Sequence, residues 1–227
     1  MTAEVSKLTK AAKPVRQRLI DAGERLFAEH GLGVGIRTIA AAADVSLAAL
    51  NYHFGDKENL LAEIFAERAR PIAAERMRLL AEIQASGTAT LEGVIEAFLR
   101  PAFGAWSEAQ SGGKVFAKLR ARLATESEAF KLRIRASAFD ESSRRYIAAL
   151  QALLPELSPE DLGWRFHFLL GAMIYTMADS GRIQSLTDGQ CDAEDVQAVM
   201  LNIVPFLAAG FRSPPLSRSV RRRPRKK

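Results

Sequence analysis

Apolar residues recur at helical spacing along nearly the whole chain. Val15, Leu19, Ala22 and Leu26 stand four, three and four apart, with Ile20 and Phe27 beside them. That pattern predicts a helix from about Val15 to His30 with one apolar stripe. Gly31 follows where a C-terminal cap is expected. Residues Arg37 to Ala43 are mostly alanine, the best helix former, and predict a short second helix. Asp44 falls at the turn, because aspartate tolerates left-handed dihedrals better than most residues. Val45 can plug the gap between helices, and Ser46 suits the N-cap of a third helix, Leu47 to Phe54. Asp56 can cap a fourth, running to about Gln84 with Leu60, Leu61, Ile64 and Phe65 on its apolar side. Pro71 falls inside that helix and should kink or split it.

Further along, Thr88 or Thr90 can cap a helix from Leu91 to about Ala109, interrupted by Pro101. A helix from Val115 to Glu126 follows, then one from about Ser127 to Leu154, stopped by Pro155. Ser158, Pro159, Glu160 and Asp161 combine a capping hydroxyl, a proline at the first position and acids in the first turn. They open a very apolar helix to about Ser180. Asp192 or Ala193 opens the last, to about Ala209. No alternating strand pattern of useful length appears. The expectation is an all-α chain: an N-terminal three-helix helix-turn-helix domain, then a C-terminal helical domain. The expected boundaries are a disordered arm over 1–14, the head over 15–57, the helical body over 58–211 and a disordered basic tail over 212–227.

Charge sharpens this division. The net charge is +6, but residues 212–227 hold eight basic residues and no acid, so residues 1–211 net −2. Of these, 1–57 net +2 and 58–211 net −4. A mildly basic head on an acidic body suits a protein that offers one end to a polyanion. The basic tail, broken by prolines, cannot bury a core and could add sequence-independent contact with DNA through counterion release; the plainer alternative is a solvated solubility tail. No apolar run approaches a membrane span, the first residues do not read as a signal peptide, and a lone Cys191 argues against disulfides and cysteine-based metal sites. A cytoplasmic protein is expected, without membrane contact.

The stretch from Arg37 to Lys57 carries the most specific chemistry. A short helix on a tight turn, rich in hydrogen-bonding side chains, is how a helix-turn-helix meets the DNA major groove. Arg37 and Thr38 open the second helix, where backbone amides and the Thr38 hydroxyl could grip a phosphate; simple capping by Thr38 is the alternative. Leu47, Ala48 and Ala49 lack strong hydrogen-bonding groups and would read thymine methyls, or merely let the helix approach closely. Phe54 is a core residue. Lys57 opposes its helix dipole, which an external phosphate would explain.

These residues resemble the DNA-binding domain of the tetracycline-repressor (TetR) family over positions 16 to 65. Ala22, Phe27, Gly31, Thr38, Ile39, Ala40, Val45, Ser46, Leu50, Tyr52, His53, Phe54, Lys57 and Leu60 match its pattern in order and spacing. Asp44 stands where the family usually has a turn glycine, and Asn51 where a tyrosine is common. The resemblance implies that Tyr52 and His53 reach phosphates, although an aromatic pair beside Phe54 could instead be core. With Ser46 and Asn51 these complete the expected DNA-binding set.

Residues Leu162 to Met177 carry apolar groups on nearly every helical face, so this helix should be buried all round. One face can serve the core and another a second subunit. Trp164, His167 and Phe168, with Met200, Ile203 and Val204 of the last helix, are the expected homodimer interface; the resemblance implies the same, since the last two long helices dimerise in the family. The alternative is an intramolecular core helix. Phe98, Phe103, Trp106, Phe116, Leu119 and Leu123 could line a cavity for an apolar ligand, or simply pack a core. The resemblance implies a small effector, and residues 164–179 are similar to family members that answer to fatty acids or acyl thioesters. No metal constellation, nucleophile elbow or phosphate loop is present, so neither cofactor nor enzymatic activity is expected. The expected function is a dimeric regulator, a repressor bound to a palindromic double-stranded operator and released by its effector. An architectural DNA-binding protein with a purely dimerising body is the rival reading.

Overall fold

The structure, a computed structural model, describes residues 13–107, 113, 115–116, 118–119, 139–178 and 181–215. Its helices are α1 (Val15–His30), α2 (Ile36–Ala42), α3 (Leu47–Phe54), α4 (Lys57–Ser86), α5 (Leu91–Ser107), α6 (Asp140–Leu153), α7 (Pro159–Ala178), α8 (Arg182–Leu186) and α9 (Val196–Arg212). No strand occurs among the described residues, and no helix among them is long and apolar enough to cross a membrane. Residues 113, 115, 116, 118 and 119 are helical. The rest of the helix expected over Val115 to Glu126, the start of the next, residues 1–12 and residues 216–227 lie outside the described residues.

The local start signals act as their chemistry requires. The Ser46 hydroxyl accepts the Ala49 amide at 3.1 Å, the Asp56 carboxylate accepts the Asn59 amide at 2.7 Å, and Thr90 accepts from Gly93 at 3.1 Å. Ser158 accepts from Asp161 at 3.1 Å. The last helix starts later than expected, after Asp195, whose carboxylate accepts the Ala198 amide. Pro71 neither splits nor ends α4, and Pro101 and Pro205 likewise stand inside continuous helices. A proline removes one hydrogen bond, and buried side chains on both sides of each outweigh that loss.

The chain forms two compact units, Met1–Pro71 with Gly112–Phe139, and Ile72–Ser111 with Asp140–Lys227. The first therefore runs well beyond the expected boundary at residue 57. Its core joins Leu19, Ile20, Leu26 and Phe27 of α1 to Ile39, Leu50 and Phe54, and Leu60, Leu61, Ile64 and Phe65 of α4 complete it. Without α4 the apolar stripe of α1 would face water. Gly23 lets these two helices meet closely, since a Cβ there would lie 3.0 Å from the Ile64 side chain. Polar pairs fix the same contact. Arg68 holds the buried Glu24 carboxylate with two hydrogen bonds, at 2.8 and 2.5 Å, and Arg16 bonds both Glu63 and Glu67. Burial pushes the Glu24 carboxyl above its ordinary 4.5, against the pull of the Arg68 hydrogen bond and charge.

In the second unit α5, α6, α7 and α9 enclose Phe98, Phe103, Trp106, Tyr146, Leu150, Phe166, Leu169, Met173, Leu207 and Phe211. The Phe98 ring meets Tyr146 and Phe166 edge-on, both at 5.1 Å. Arg76 of α4 is buried among them. Its guanidinium lies 3.6 Å from the Phe98 ring centre and donates to the Phe98 carbonyl, while the Tyr146 hydroxyl donates to the Arg76 carbonyl. The last described residues are anchored rather than loose. Arg212, expected in the disordered tail, ends α9 and forms a double hydrogen bond with Glu92; Arg165 donates to the carbonyls of Phe211 and Ser213.

Candidate nucleic-acid interface

Helix α3 has eight residues and two sharply different faces. Leu50 and Phe54, one turn apart, enter the core, and Leu47 and Ala49 are half-buried. Ala48, Asn51, Tyr52 and His53 face outward. Tyr52 is 86% exposed, so its ring contributes almost nothing to the fold. It stands edge-on to the His53 imidazole at 5.3 Å. The core alternative for Tyr52 and His53 is thereby ruled out; Phe54 alone of the three is core.

The turn before α3 explains how this short helix is held. The Val45 amide bonds the Ala40 carbonyl at 3.0 Å and the Asp44 amide bonds the Ala41 carbonyl at 3.1 Å. This is a Schellman motif, whose central residue must be left-handed. Asp44 occupies it with φ of 54°. Val45, half-buried, packs against the core beneath.

Helix α2 begins at Ile36 after Gly35, with no side-chain cap. Thr38 is therefore not a capping residue, and Arg37 and Thr38 are both exposed. Lys57 is half-buried, and its ammonium donates to the Leu32 carbonyl at 2.8 Å. It ties the start of α4 to the loop after α1 and keeps further N–H donors for an anion. Arg37, Thr38, Ser46, Leu47, Ala48, Ala49, Asn51, Tyr52, His53 and Lys57 thus lie on one short stretch of the first unit.

The expected interface and pocket residues are sorted differently. Trp164 and Phe168 are 56% and 61% exposed, one turn apart on α7, with His167 beside them and Tyr175 further along. Ile203 and Val204 are not on that outer surface: they are buried inside the second unit, and Met200 is half-buried. Leu201 and Phe206 are the exposed apolar residues of α9 instead. The six expected pocket residues do not form one group. Phe98, Phe103 and Trp106 are interior to the second unit, whereas Phe116 and Leu119 belong to the core of the first, with the Phe116 ring 5.2 Å from Phe65. Leu123 lies outside the described residues. Arg76 was missed, although the stripe Ala69, Ile72, Arg76 and Leu80 places it among apolar positions and was there to be read. No group of three or more His, Cys, Asp or Glu among the described residues is placed to hold a metal.

A three-helix head that presents a short exposed helix, followed by an all-helical unit, is the arrangement of a helix-turn-helix regulator. The chain belongs to the tetracycline-repressor family: residues 19–64 match the bacterial regulatory proteins of the tetR family, and residues 96–210 match the tetracyclin repressor-like C-terminal domain. It is 34% identical over 97 residues to the HTH-type transcriptional dual regulator CecR of Shigella flexneri. It is 41% identical over 59 residues to the HTH-type transcriptional repressor AcnR of Corynebacterium glutamicum. These matches take in 40% and 26% of this chain, and 44% and 31% of those proteins, so the chain spans less than half the length of either. Similar folds extend over much more of it. PfmR of Thermus thermophilus has a TM-score of 0.62 at 17% identity, with 91% of this chain and all of that one covered. FadR of Bacillus subtilis, solved with stearoyl-CoA, has a TM-score of 0.59 at 19% identity, with 86% and 98% covered.

Proposed function

We propose that the protein is a homodimeric transcriptional regulator that binds a palindromic DNA operator through α3 and leaves it when a small apolar effector binds the second unit. The observation that carries the reading is the outer face of α3. Asn51, Tyr52 and His53 are exposed there, while the opposite face is locked into a core. Polar-tipped side chains on a helix of this size suit phosphate and base contact. Arg37, Thr38 and Lys57 supply neighbouring phosphate donors.

Dimerisation is supported by Trp164, Phe168 and Tyr175 on α7 and by Leu201 and Phe206 on α9, large apolar groups that water otherwise meets. Two heads related by a two-fold axis call for half-sites about 34–36 Å apart or a multiple of that. An apolar effector is supported by the aromatic interior around Phe98, Phe103, Trp106 and Phe166. A fatty acid or acyl thioester as that effector is supported by the stearoyl-CoA in the structure of the Bacillus subtilis protein of similar fold. Release follows from differential affinity: an effector that prefers the conformation with misplaced heads draws the dimer off DNA. The protein would act in the cytoplasm, where a bacterial operator lies, with repression as the outcome.

The test is to select bound fragments from a genomic library, then to titrate the recovered operator with and without stearoyl-CoA and palmitoyl-CoA. Saturable, sequence-selective binding that either thioester weakens supports the whole reading. Selective binding that neither thioester alters, in the absence of any shift in thermal midpoint with them, removes the acyl effector. Binding without sequence preference removes the operator.

A further inference from the structure

Asp44 is one of two non-glycine residues with positive φ among the described residues, and its position in a Schellman turn is one that glycine fills most readily. Its carbonyl leaves the helix ladder at that point and is free to accept from a side chain. The donor comes from α1, 26 residues earlier: Arg18 Nη1 lies 3.1 Å from the Asp44 carbonyl oxygen and 3.7 Å from its carboxylate Oδ2. One guanidinium nitrogen therefore bonds the carbonyl and lies within ion-pair distance of the carboxylate of the residue that turns the chain between α2 and α3. The Asp44 side chain is fully exposed, whereas Arg18 is about two-thirds covered, so the cation is the pre-positioned partner. Asp44 also stands two residues ahead of Ser46, where the proposed DNA contacts begin. A free carboxylate there would meet a polyanion at short range.

We infer that Arg18 is a positioning residue for DNA recognition: it fixes Asp44 in the left-handed turn and neutralises its carboxylate, so that α3 is presented at one angle and without local repulsion. The inference rests on the reading of α3 as the recognition helix. An exposed ion pair alone would be worth little; the bond to the backbone carbonyl gives this pair its leverage, because a charged donor to a carbonyl is stronger and geometrically stricter. Arg18 and Asp44 should then be coupled. Where glycine replaces Asp44, the bond from Arg18 to the carbonyl can remain, but the left-handed strain it offsets and the charge it faces do not, so loss of Arg18 should cost less.

Four forms of the full chain test this: wild type, Arg18→Ala, Asp44→Gly and the double variant, with operator affinity measured by fluorescence anisotropy across a salt series. Affinities are referred to the DNA-competent fraction from stoichiometric titration, so that loss of folded protein is not counted as loss of recognition. Arg18→Ala should weaken binding about fivefold, toward the low end of the coupling expected between groups in contact. The same change in the Asp44→Gly background should cost less than about twofold, in line with removal of that coupling. If Arg18→Ala lowers the helical signal, Arg18→Gln takes its place in the cycle. Equal losses in both backgrounds, with the salt slope reduced by about one, mean that Arg18 touches phosphate itself and overturn the inference. So does no loss in either background. Tyr52→Ala and His53→Ala run alongside: if both leave affinity unchanged, the recognition-helix reading fails; if they weaken it and Arg18→Ala does not, only the positioning role fails.

Discussion

Helices α3 and α7 both expose aromatic side chains, yet the two surfaces differ in kind. On α3, Tyr52 and His53 carry a hydroxyl and an imidazole and are joined by Asn51; the apolar groups Leu50 and Phe54 turn inward. On α7, Phe168 is exposed beside Trp164 and His167, and on α9 Leu201 and Phe206 are exposed with no polar tip at all. A polar-tipped aromatic can exchange water for phosphate or base edges without losing hydrogen bonds. A bare apolar group gains only by leaving water. Exposure alone would have put both helices in one category; the chemistry at the tip separates a polyanion from a second apolar surface.

The largest expected effect breaks the apolar side. Phe168→Asp or Phe206→Asp should raise the dimer dissociation constant more than about a hundredfold, since an uncompensated charge in an apolar interface costs on the order of 3–5 kcal/mol. Sedimentation velocity reads the change in mass, and operator binding should fall with it while the helical signal persists. Ile203→Asp is a different experiment: Ile203 is interior, so that variant should unfold the second unit.

On the polar side the losses are smaller. Tyr52→Ala and Lys57→Ala should leave the mass unchanged and lower the slope of log affinity against log salt by about one unit each, one phosphate contact apiece. Lys57→Ala should also lose about 1 kcal/mol of stability with its bond to Leu32, whereas Tyr52→Ala should not. Anisotropy across salt, paired with urea unfolding, separates the two effects. Unchanged affinity and slope in both variants would remove Tyr52 and Lys57 from the interface.

The basic tail sets a third, weaker contrast. Because Arg212 pairs with Glu92 and the Ser213 carbonyl accepts from Arg165, the informative cut falls after Pro215 rather than at the end of α9. It removes seven basic residues from a region outside the described structure. Affinity for random and operator DNA should fall by similar factors, on the order of tenfold at low salt, with their ratio preserved. A selective loss of operator binding would give the tail a share in sequence reading.

The smallest expected effect lies in pH. The buried Glu24 carboxyl sits above its ordinary 4.5, so its contribution to stability is fully present below that value and lost as pH rises through the raised one. Glu92, held low by the hydrogen bond from Arg212, contributes above 4.5 and loses that contribution as pH falls through the lowered value. Unfolding curves of Glu24→Gln and Glu92→Gln, each subtracted from wild type across about pH 3 to 7, should therefore slope in opposite directions. Parallel slopes would mean that burial does not dominate at Glu24.

Local chemistry was the legible part of this molecule. Ser46, Asp56, Thr90 and Ser158 each act within a few residues of themselves, so the sequence places them as caps without further knowledge. The outward face of α3 was legible for a related reason: Leu50 and Phe54 fix which side is in. Helix α9 offered no such contrast. Apolar on most faces, it leaves no means of choosing between Ile203 and Phe206: Ile203 and Val204, expected at the interface, are interior, and Phe206 is outside. Phe116 and Leu119, grouped with Phe98, Phe103 and Trp106 as candidate cavity lining, pack in the core of the first unit instead, beside neighbours such as Phe65 that are some fifty residues away in sequence. Pro71 misled for an energetic reason, since one missing hydrogen bond is small beside the packing on either side of it.

The first compact unit is discontinuous, and this bears on how such regulators can be recombined. Cutting at residue 57, where the recognition motif ends, would strip the head of Leu60, Leu61, Ile64 and Phe65. Cutting at Pro71 would still leave Phe116 and Leu119 behind in the donor. A transplanted head thus needs three junctions, one near Pro71 and a pair bracketing Gly112–Phe139, or a host whose own residues fill the vacated space. Chimeras joined at a single seam should express poorly however well their DNA motif is preserved, and shuffling between relatives should succeed only where both segments travel together.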